Sequence, residues 1–193
     1  TDVDGVYTTD PNVCPSARKI DRISYEEMLE LASLGAKVLQ IRSVELAMKY
    51  GVPIHVRSSF NDNLGTMVTN EEGLESGVVA GVAYDKGEAK VQLINVPDRP
   101  GIVAAIFGSL ADRNVSVDMI IQSPSREGGT TTDVTFRVAK TDLTRCKNLI
   151  EAEARQLGGA AVEYDPDIVK VSIVGLGMRS HAGVAKKMFQ LLA

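Results

Sequence analysis

The sequence predicts an α/β segment followed by an α+β, ferredoxin-like unit of order βαββαβ, with an incomplete second copy of that unit at the end. Two helical patterns alternate with a short strand before residue 60, and strand and helix periodicities then follow in the order βαββαβ from residue 90. The stretch 90–111 also returns in altered form at 170–193. With 193 residues, 44% hydrophobic and 24% charged, the chain suits one large or two small folded cores.

Composition excludes several classes of function. The net charge of −4, with both signs interspersed, provides no basic surface for a nucleic acid. No apolar run reaches the length of a membrane span and the first residues do not resemble a signal peptide, so we expect a cytoplasmic protein with no membrane partner. Cys14 and Cys146 are far apart and lack metal-ligand spacing, and Asp2 and Asp4 lack the other ligands of a calcium loop, so no metal site is predicted.

The α/β segment begins with a predicted loop and a capped helix. Residues 1–12 are dense in Asp, Gly, Thr and Pro, which build turns and offer hydroxyl, carboxylate and backbone groups to a ligand. Ser24 followed by Glu27 three positions later forms a capping box, which predicts a helix that stops at Gly35.

A second helix and a strand complete this segment. The pattern predicts a helix from Lys37 to Tyr50 with two largely apolar sides, stopped by Gly51, and then a strand over 52–58. His55, within that strand, is predicted to be a packing or surface residue because no partner for catalysis is placed near it. Polar and glycine-rich residues then predict a linker at 63–77.

Five motifs in residues 1–62 resemble, in order and spacing, the last third of the catalytic domain of the aspartate kinase family. They are Thr-Asp-Val-Asp-Gly-Val-Tyr-Thr-Thr-Asp-Pro at 1–11, Ala-Arg-Lys at 17–19, Tyr-Glu-Glu-Met-Leu-Glu-Leu-Ala at 25–32, Gly-Ala-Lys-Val-Leu at 35–39 and Pro-Ile-His-Val-Arg-Ser-Ser at 53–59. The resemblance implies an amino-acid-kinase-like fold and the transfer of phosphate from ATP-Mg to L-aspartate, giving 4-phospho-L-aspartate. It implies no tightly bound cofactor.

The resemblance also implies a nucleotide pocket. Its expected lining is Thr1, Asp2, Tyr7, Thr8, Thr9, Asp10, Pro11 and Asn12. Lys37 would reach the phosphates, which suits an ammonium near the start of a helix, although a solvated helix lysine is the alternative. The family's Lys-Gly-Gly segment and aspartate-binding residues belong to a more N-terminal part, so we assign no catalytic residue and expect this chain alone to be inactive.

The ferredoxin-like pattern spans residues 89–166. It predicts strands at 90–96, 115–123, 131–138 and 160–164, and helices at about 100–113 and 142–157. Gly101 to Ala111 aligns with Gly183 to Ala193, so residues 167–193 read as the first strand and helix of a second copy. Both copies resemble ACT domains, the amino-acid-sensing modules of aspartate kinases. In that family one ACT unit is inserted in the other, which implies that the strand and turn at 78–88 belong to the second copy.

The loop at Asp98 is the predicted effector site. A zwitterionic amino acid needs an anion for its ammonium group and donors for its carboxylate, which Asp98 and the backbone amides of Gly101, Ile102 and Val103 could supply. Two-residue alternation places Asp118 and Gln122 on one side of the next strand, where they could contact a lysine or threonine side chain. ACT positions of this kind contact effectors, which implies L-lysine and/or L-threonine. The alternative for Asp98 is a helix cap and turn former.

The second copy and the alternatives complete the predictions. Ser180 and His181 are expected to cap the second helix or line a second site, and Gly175-Leu-Gly177 is too poor a match for a dinucleotide site. ACT sites commonly form between units, which implies a homodimer or an alpha/beta-type hetero-oligomer. The hypothesis for mechanism is feedback inhibition, in which an effector favours an arrangement that misplaces the nucleotide loop. The alternative function is a non-catalytic ACT-type amino-acid-binding regulator; a nucleic-acid-binding module lacks the stacking aromatics it would need.

Overall fold

The computed structural model describes residues 1–70, 78–125, 130–158, 160–179, 181 and 183–193. They form two compact units: a first unit of Thr1–Asp85 with Val171–Ala193, and a second unit of Lys86–Lys170. Ser180 and residues 71–77 of the predicted linker lie outside the described residues. The predicted division into a kinase portion, a linker and two ACT units stays a prediction.

The secondary structure elements are named in chain order. The strands are β1 (Val6–Tyr7), β2 (Lys19–Ile20), β3 (Arg22–Ser24), β4 (Ile54–Val56), β5 (Thr66–Thr69), β6 (Gly81–Asp85), β7 (Glu88–Pro97), β8 (Val117–Pro124), β9 (Thr131–Ala139), β10 (Ala161–Asp165) and β11 (Lys170–Val174). The helices are α1 (Tyr25–Ser33), α2 (Ile41–Tyr50), α3 (Ile102–Ala111), α4 (Leu143–Gln156) and α5 (Val184–Leu192). Short 3₁₀ turns occupy Lys140–Asp142 and Leu176–Arg179.

Helix α1 begins as its sequence predicts. The Ser24 Oγ accepts the Glu27 N–H at 3.1 Å, which is the N-cap half of a capping box, and the Ser24 hydroxyl donates to the Glu27 carboxylate at 3.3 Å. Met28 and Leu31 are fully or almost fully buried on one face, so the helix is anchored to the core of the first unit. It ends at Ser33, just before Gly35.

Helix α2 differs from its prediction at its N-terminus. It begins at Ile41 rather than Lys37, because the chain makes a turn over residues 37–40 and Gln40 occupies the N-cap position. Only Val44 and Ala47 are buried, whereas Leu46 is 49% exposed, so the predicted second apolar side is wrong. The apolar pattern misled because Val38 and Leu39 pack against the core from the turn rather than from the helix.

Residues 66–69 form a strand where the sequence predicts a linker. Strand β5 lies at the centre of a three-stranded sheet, parallel to β3 and antiparallel to β4. Thr66 and Val68 alternate with Met67 and Thr69 between the buried and the less buried face, which is the strand periodicity. Only four residues show that pattern within a polar stretch, so it does not stand out in the sequence. Strand β4 is also shorter than the predicted 52–58.

The first unit also contains a pair of strands, β6 and β11, from distant parts of the chain. Strand β6 pairs with β11, and the Ala80 N–H donates to the Val174 carbonyl oxygen at 2.8 Å. Gly175 passes so close to this segment that an added Cβ would lie 2.4 Å from the Val78 carbonyl oxygen. Ala83 and Val174 are buried in one cluster with residues of α1 and β3, so this strand pair belongs to the core of the first unit.

The second unit has the predicted ferredoxin-like topology. Its antiparallel sheet has the strand order β10-β7-β9-β8, and α3 and α4 contribute buried residues to its core. Phe136 is fully buried at the centre and meets Phe107 edge to face, with ring centroids 5.2 Å apart. Cys146 lies on the buried face of α4, as predicted.

The internal repeat is visible in the backbone. Gly101 and Gly183, which the sequence alignment equates, are the N-cap residues of α3 and α5 and both are left-handed, with φ of 91° and 99°. Helix α5 buries none of its residues, and Phe189, Leu191 and Leu192 are each more than 60% exposed. The apolar side chains of α5 are therefore exposed in the part of the chain that the structure describes.

Candidate functional sites

The predicted nucleotide loop is organised around Asp10. Its Oδ1 accepts the Asn12 N–H at 2.9 Å, and its Oδ2 accepts the Tyr84 hydroxyl at 3.1 Å. The Asn12 backbone hydrogen bond is the main cause that lowers the pKa of Asp10; the bond from Tyr84 and the positive charge of Lys37 act in the same direction. Asp10 is therefore a carboxylate with both oxygens fixed.

Lys37 stands close to this loop but not in the predicted setting. Its positive charge makes a small contribution to lowering the pKa of Asp10, and Gly35, two residues before it, lies against Tyr84. Helix α2 starts four residues later in the chain, at Ile41, so the predicted contribution of a helix start to phosphate binding at Lys37 is wrong. Lys37 can contribute its own charge to a nucleotide phosphate, on the turn that precedes the helix.

Tyr84 is a site residue that sequence reasoning missed. It lies on β6, more than seventy residues from Asp10. On the same strand, the Val82 N–H donates to the Thr8 carbonyl oxygen at 2.7 Å. No local motif could have revealed these contacts, because they depend on where β6 lies in the first unit.

Thr1 and Asp2 lie beside a different part of the chain. The terminal amine of Thr1 donates to the Arg57 carbonyl oxygen at 3.2 Å, and the Ser59 N–H donates to the Thr1 carbonyl oxygen at 2.8 Å. The Thr1 hydroxyl donates to the Asp2 carboxylate. These contacts fix the two residues to the segment after β4, whereas Asp10 is fixed to β6.

Asp4 joins this second group and was not predicted. Its two oxygens accept the Asn63 side-chain amide and the Tyr7 hydroxyl, each at 2.8 Å. The Asn63 bond, followed by the Tyr7 bond, lowers the pKa of Asp4, and the same carboxylate raises the pKa of Tyr7. Tyr7 is thus directed to Asp4 rather than towards Asp10.

The predicted effector loop borders a cavity of about 310 Å³. Four of the six predicted residues line it: Asp98, Gly101, Val103 and Gln122. The cavity is also lined by Pro97, Arg99, Pro100 and Thr132, which the sequence did not single out. Asp98 and Arg99 together provide both charges that a zwitterion requires.

The backbone holds this loop in place without a side-chain cap. The Asp98 N–H donates to the Thr130 carbonyl oxygen at 2.7 Å, and the Arg99 N–H donates to that of Pro97 at 3.0 Å. The N-cap of α3 is Gly101 and no side chain caps it, so the alternative interpretation of Asp98 as the helix cap is wrong. The Asp98 carboxylate is exposed at the cavity.

Ile102 does not line the cavity. Its N–H donates to the Arg99 carbonyl oxygen at 3.4 Å, and its side chain packs against the core of the second unit. The predicted donor role of its amide is therefore wrong, since that amide already closes a turn.

Asp118 and Gln122 face opposite sides of the sheet, contrary to the prediction. Asp118 pairs with Arg137 and Gln122 with Val134, and the register shifts between Asp118 and Ile121. This bulge adds a residue to β8 and breaks the two-residue alternation on which the prediction relied. Met119, within the bulge, has φ of 51°.

Asp118 instead belongs to a network of four charges in the second unit. Glu88 pairs with Arg137 at 2.8 Å and with Lys170 at 2.7 Å. Asp118 lies 3.0 Å from Arg137 and 3.4 Å from Lys170. Two positive and two negative groups neutralise one another there, and a role for Asp118 towards an effector stays a prediction.

A second cavity of about 420 Å³ lies where α3 ends and α4 begins. It is lined by Arg113, Thr141, Thr144, Arg145, Asn148 and Leu149. Arg145 already pairs with Asp142 and donates to the Arg113 carbonyl oxygen at 3.1 Å, so its guanidinium charge is neutralised. The smaller cavity at Asp98 has the better chemistry for an amino acid.

The described residues contain neither a cluster of metal ligands nor a membrane-spanning helix. In that part of the chain no group of three or more His, Cys, Asp and Glu side chains is arranged to hold a metal ion. No helix in the same ranges has the length and apolar character to cross a membrane. His181, in the loop of the second copy, contacts the Gly177 carbonyl oxygen at 2.8 Å.

Comparison with known proteins gives consistent results for both parts of the chain. Residues 1–58 match the amino acid kinase family and residues 92–154 match the ACT domain. An aspartate kinase of Pseudomonas putida is 50% identical over 195 residues, covering 100% of this chain and 47% of that protein. The chain therefore spans about half the length of the curated relatives it matches.

Solved structures give the same result. Two structures of E. coli aspartokinase III each cover 100% of this chain, and this chain covers 42% of each of them. The complex with aspartate and ADP has a TM-score of 0.78 and is 28% identical in sequence. The complex with lysine and aspartate has a TM-score of 0.72 and is 29% identical. The regulatory subunit of aspartate kinase from Thermus thermophilus is 40% identical, with a TM-score of 0.55, over 61% of this chain and 76% of that subunit.

The fold and the two matched segments thus define an amino-acid-kinase segment joined to an ACT domain. Similarity to aspartate kinases extends over the whole chain and includes both matched segments. The chain belongs to the aspartate kinase family.

Proposed function

We propose that the protein containing this chain transfers the γ-phosphoryl group of ATP, with Mg²⁺ bound to the nucleotide, to the side-chain carboxylate of L-aspartate. The observation that carries the proposal is 50% identity to an aspartate kinase over the full length of the chain. ADP and aspartate are bound together in the related aspartokinase III of E. coli. A cytoplasmic location is part of the same proposal.

The proposed contribution of this chain to catalysis is one side of the nucleotide site. Residues 7–12 form the loop, and Lys37 supplies a positive charge for the phosphates. Thr1 and Asp2 contribute from beside the segment after β4, where the Ser59 N–H donates to the Thr1 carbonyl oxygen. Phosphoryl transfer depends on positioning and charge neutralisation by the complete site, so this chain alone is expected to be inactive.

The proposed regulatory site is the cavity at the start of α3. Asp98 can bind the α-ammonium group of an amino acid, while Arg99 and the backbone amides of Gly101 and Val103 can bind its carboxylate. Gln122 and Thr132 line the same cavity and offer hydrogen bonds to a polar side chain. Lysine is bound in a related structure of E. coli aspartokinase III, so L-lysine is the first effector to test and L-threonine the second.

Feedback inhibition follows if the effector binds one arrangement of the regulatory region more tightly than another. The coupling free energy then equals the difference between its binding free energies for the two arrangements. The inhibited arrangement is the one that displaces the nucleotide loop.

The proposed assembly is a homodimer or an alpha/beta-type hetero-oligomer formed through the ACT regions. A regulatory subunit exists as a separate chain in Thermus thermophilus.

The test of catalysis uses the full-length protein with ATP-Mg and L-aspartate, measuring phosphate transfer to aspartate. Turnover that requires both substrates would support the proposal. Its absence, together with retained lysine or threonine binding, would overturn it in favour of the non-catalytic amino-acid-binding regulator. The present chain assayed in parallel should show no turnover.

The test of the regulatory site is calorimetry of the full-length protein with lysine and threonine, separately and together. Asp98→Asn should weaken binding about tenfold, because the amide oxygen can still accept a hydrogen bond from the ammonium group but the negative charge that strengthens it is lost. Asp112→Asn is the matched control, since Asp112 is an exposed carboxylate at the other end of α3. Equal affinities of the two variants would contradict the assignment of Asp98.

A further inference from the structure

We propose that Tyr84, on the strand that pairs with β11, is a positioning residue for the nucleotide loop, and that it holds Asp10 so that Lys37 stays available to the phosphates. This inference rests on the proposed role of residues 7–12 in nucleotide binding. It adds a residue outside that loop and outside residues 1–62, in which the kinase motifs occur.

The hydrogen bond from Tyr84 is directed at the turn of the loop. The Tyr84 hydroxyl donates to Asp10 Oδ2 at 3.1 Å, while Asp10 Oδ1 accepts the Asn12 N–H. The Asp10 carbonyl oxygen also accepts the Cys14 N–H at 2.9 Å. Asp10 is thus the residue through which the loop is tied to itself, and Tyr84 ties that residue to β6.

The backbone of β6 provides a second connection to the loop. The Val82 N–H donates to the Thr8 carbonyl oxygen at 2.7 Å, two residues before Asp10. A Cβ added at Gly81 would lie 3.0 Å from the same oxygen, so the strand and the loop are in close contact. Any displacement of β6 must therefore displace Thr8 and Asp10.

The turn that carries Lys37 meets the same strand. Gly35 has φ of 118°, and a Cβ added there would lie 2.6 Å from the Tyr84 carbonyl oxygen. Residue Tyr84 consequently contacts the loop through its hydroxyl and lies against the 35–37 turn through its backbone. The loop and the 35–37 turn of the proposed phosphate side thus both meet Tyr84 of β6.

The charges explain why holding Asp10 matters. Lys37 follows Gly35, which lies against Tyr84, by two residues, and its positive charge contributes to the lowered pKa of Asp10, yet Asp10 and Lys37 form no ion pair in the described ranges. A carboxylate released from Tyr84 could turn towards the ammonium group and neutralise it. The Tyr84 hydroxyl opposes that movement. Its loss should therefore weaken the binding of the ATP phosphates and have little effect on the rate of phosphate transfer.

The experiment compares Tyr84→Phe with the unmodified full-length protein. The KM for ATP of the variant should be about fivefold higher, because the variant lacks one hydrogen bond to a charged acceptor and solvent reduces the strength of that bond. The kcat and the KM for aspartate should change less than about twofold. Tyr164→Phe is the matched control, because the Tyr164 hydroxyl is buried with no hydrogen-bond partner among the described residues. An unchanged KM for ATP in Tyr84→Phe, or an equal rise in Tyr164→Phe, would overturn the proposal.

Hydrogen exchange of the same proteins reads the loop without turnover. Peptides covering residues 8–14 should exchange several-fold faster in Tyr84→Phe and at the unmodified rate in Tyr164→Phe. Identical exchange in all three proteins would overturn the positioning role. If the full-length protein showed no aspartate-dependent turnover, the proposed catalytic function alone would fall, and the exchange rates would still decide whether Tyr84 holds the loop.

Discussion

Replacing Gly101 by alanine should destabilise the second unit by about 1–2 kcal/mol, the cost of placing a side chain in a left-handed conformation. Gly101 has φ of 91° and ψ of −17° at the N-cap of α3. A Cβ built there meets nothing within 4 Å, so no steric clash adds to the cost. The whole effect should therefore come from the backbone conformation.

Gly108 provides the matched control because it lies in the same helix. It has no atom within 4 Å of an added Cβ and no positive φ, so Gly108→Ala should stabilise the unit by about 1 kcal/mol through helix propensity. The same substitution should thus have opposite signs at two positions of α3.

The assay is urea-dependent hydrogen exchange, read by mass spectrometry on peptides from α3. This reports the stability of the second unit separately from that of the first. Gly101→Ala should lower the free energy of opening, and Gly108→Ala should raise it. An unchanged or raised value for Gly101→Ala would refute the left-handed N-cap, and a lowered value for Gly108→Ala would refute the open space at that position.

Three further predictions concern single side chains. Thr66→Val should lower the free energy of unfolding of the first unit by about 2–3 kcal/mol in urea. The buried Thr66 hydroxyl accepts the Val6 N–H and donates to the Ile20 carbonyl oxygen, and both groups would lose their partner. Thr69→Val, on the same strand, is the control and should change the free energy of unfolding by less than about 0.5 kcal/mol. Phe136→Ala should cost the second unit about 3–5 kcal/mol in the same measurement, since the ring is fully buried, and a loss below about 1 kcal/mol would contradict its central place in the core. Burial, followed by the charge of Asp142, raises the pKa of the Cys146 thiol to about 11. Because the folded state favours the protonated thiol, the stabilisation of the second unit by this thiol is complete below about pH 9 and is lost as the pH rises through 11. Cys146→Ala should flatten the stability profile of the second unit over that range, whereas Cys14→Ala should leave its slope unchanged.

The sequence was sufficient where a structure depends on neighbours in the chain. The side-chain cap of α1 by Ser24 and the helix stop at Gly51 are local, and both are confirmed. The βαββαβ order is confirmed because each element carries its own periodicity and the core faces match. The repeat correctly equated Gly101 with Gly183, which share one backbone conformation.

Predictions failed where geometry depends on a distant contact or on one inserted residue. The bulge after Asp118 reverses the side on which Gln122 lies, and nothing in an exposed apolar strand announces it. Strand β5 is a strand because β3 and β4 flank it, although its own four residues look like part of a linker. Tyr84 reaches Asp10 only because β6 lies beside the loop, a fact of the folded chain rather than of its local pattern.

The order of the two units along the chain determines when each can fold during synthesis on the ribosome. The second unit is continuous from Lys86 to Lys170, so it can fold as soon as that stretch leaves the exit tunnel. The first unit cannot, because Val174 is part of its core and is translated after the entire second unit. The part that carries the predicted nucleotide loop must therefore wait, with its apolar residues incompletely covered, until the intervening second unit has been made.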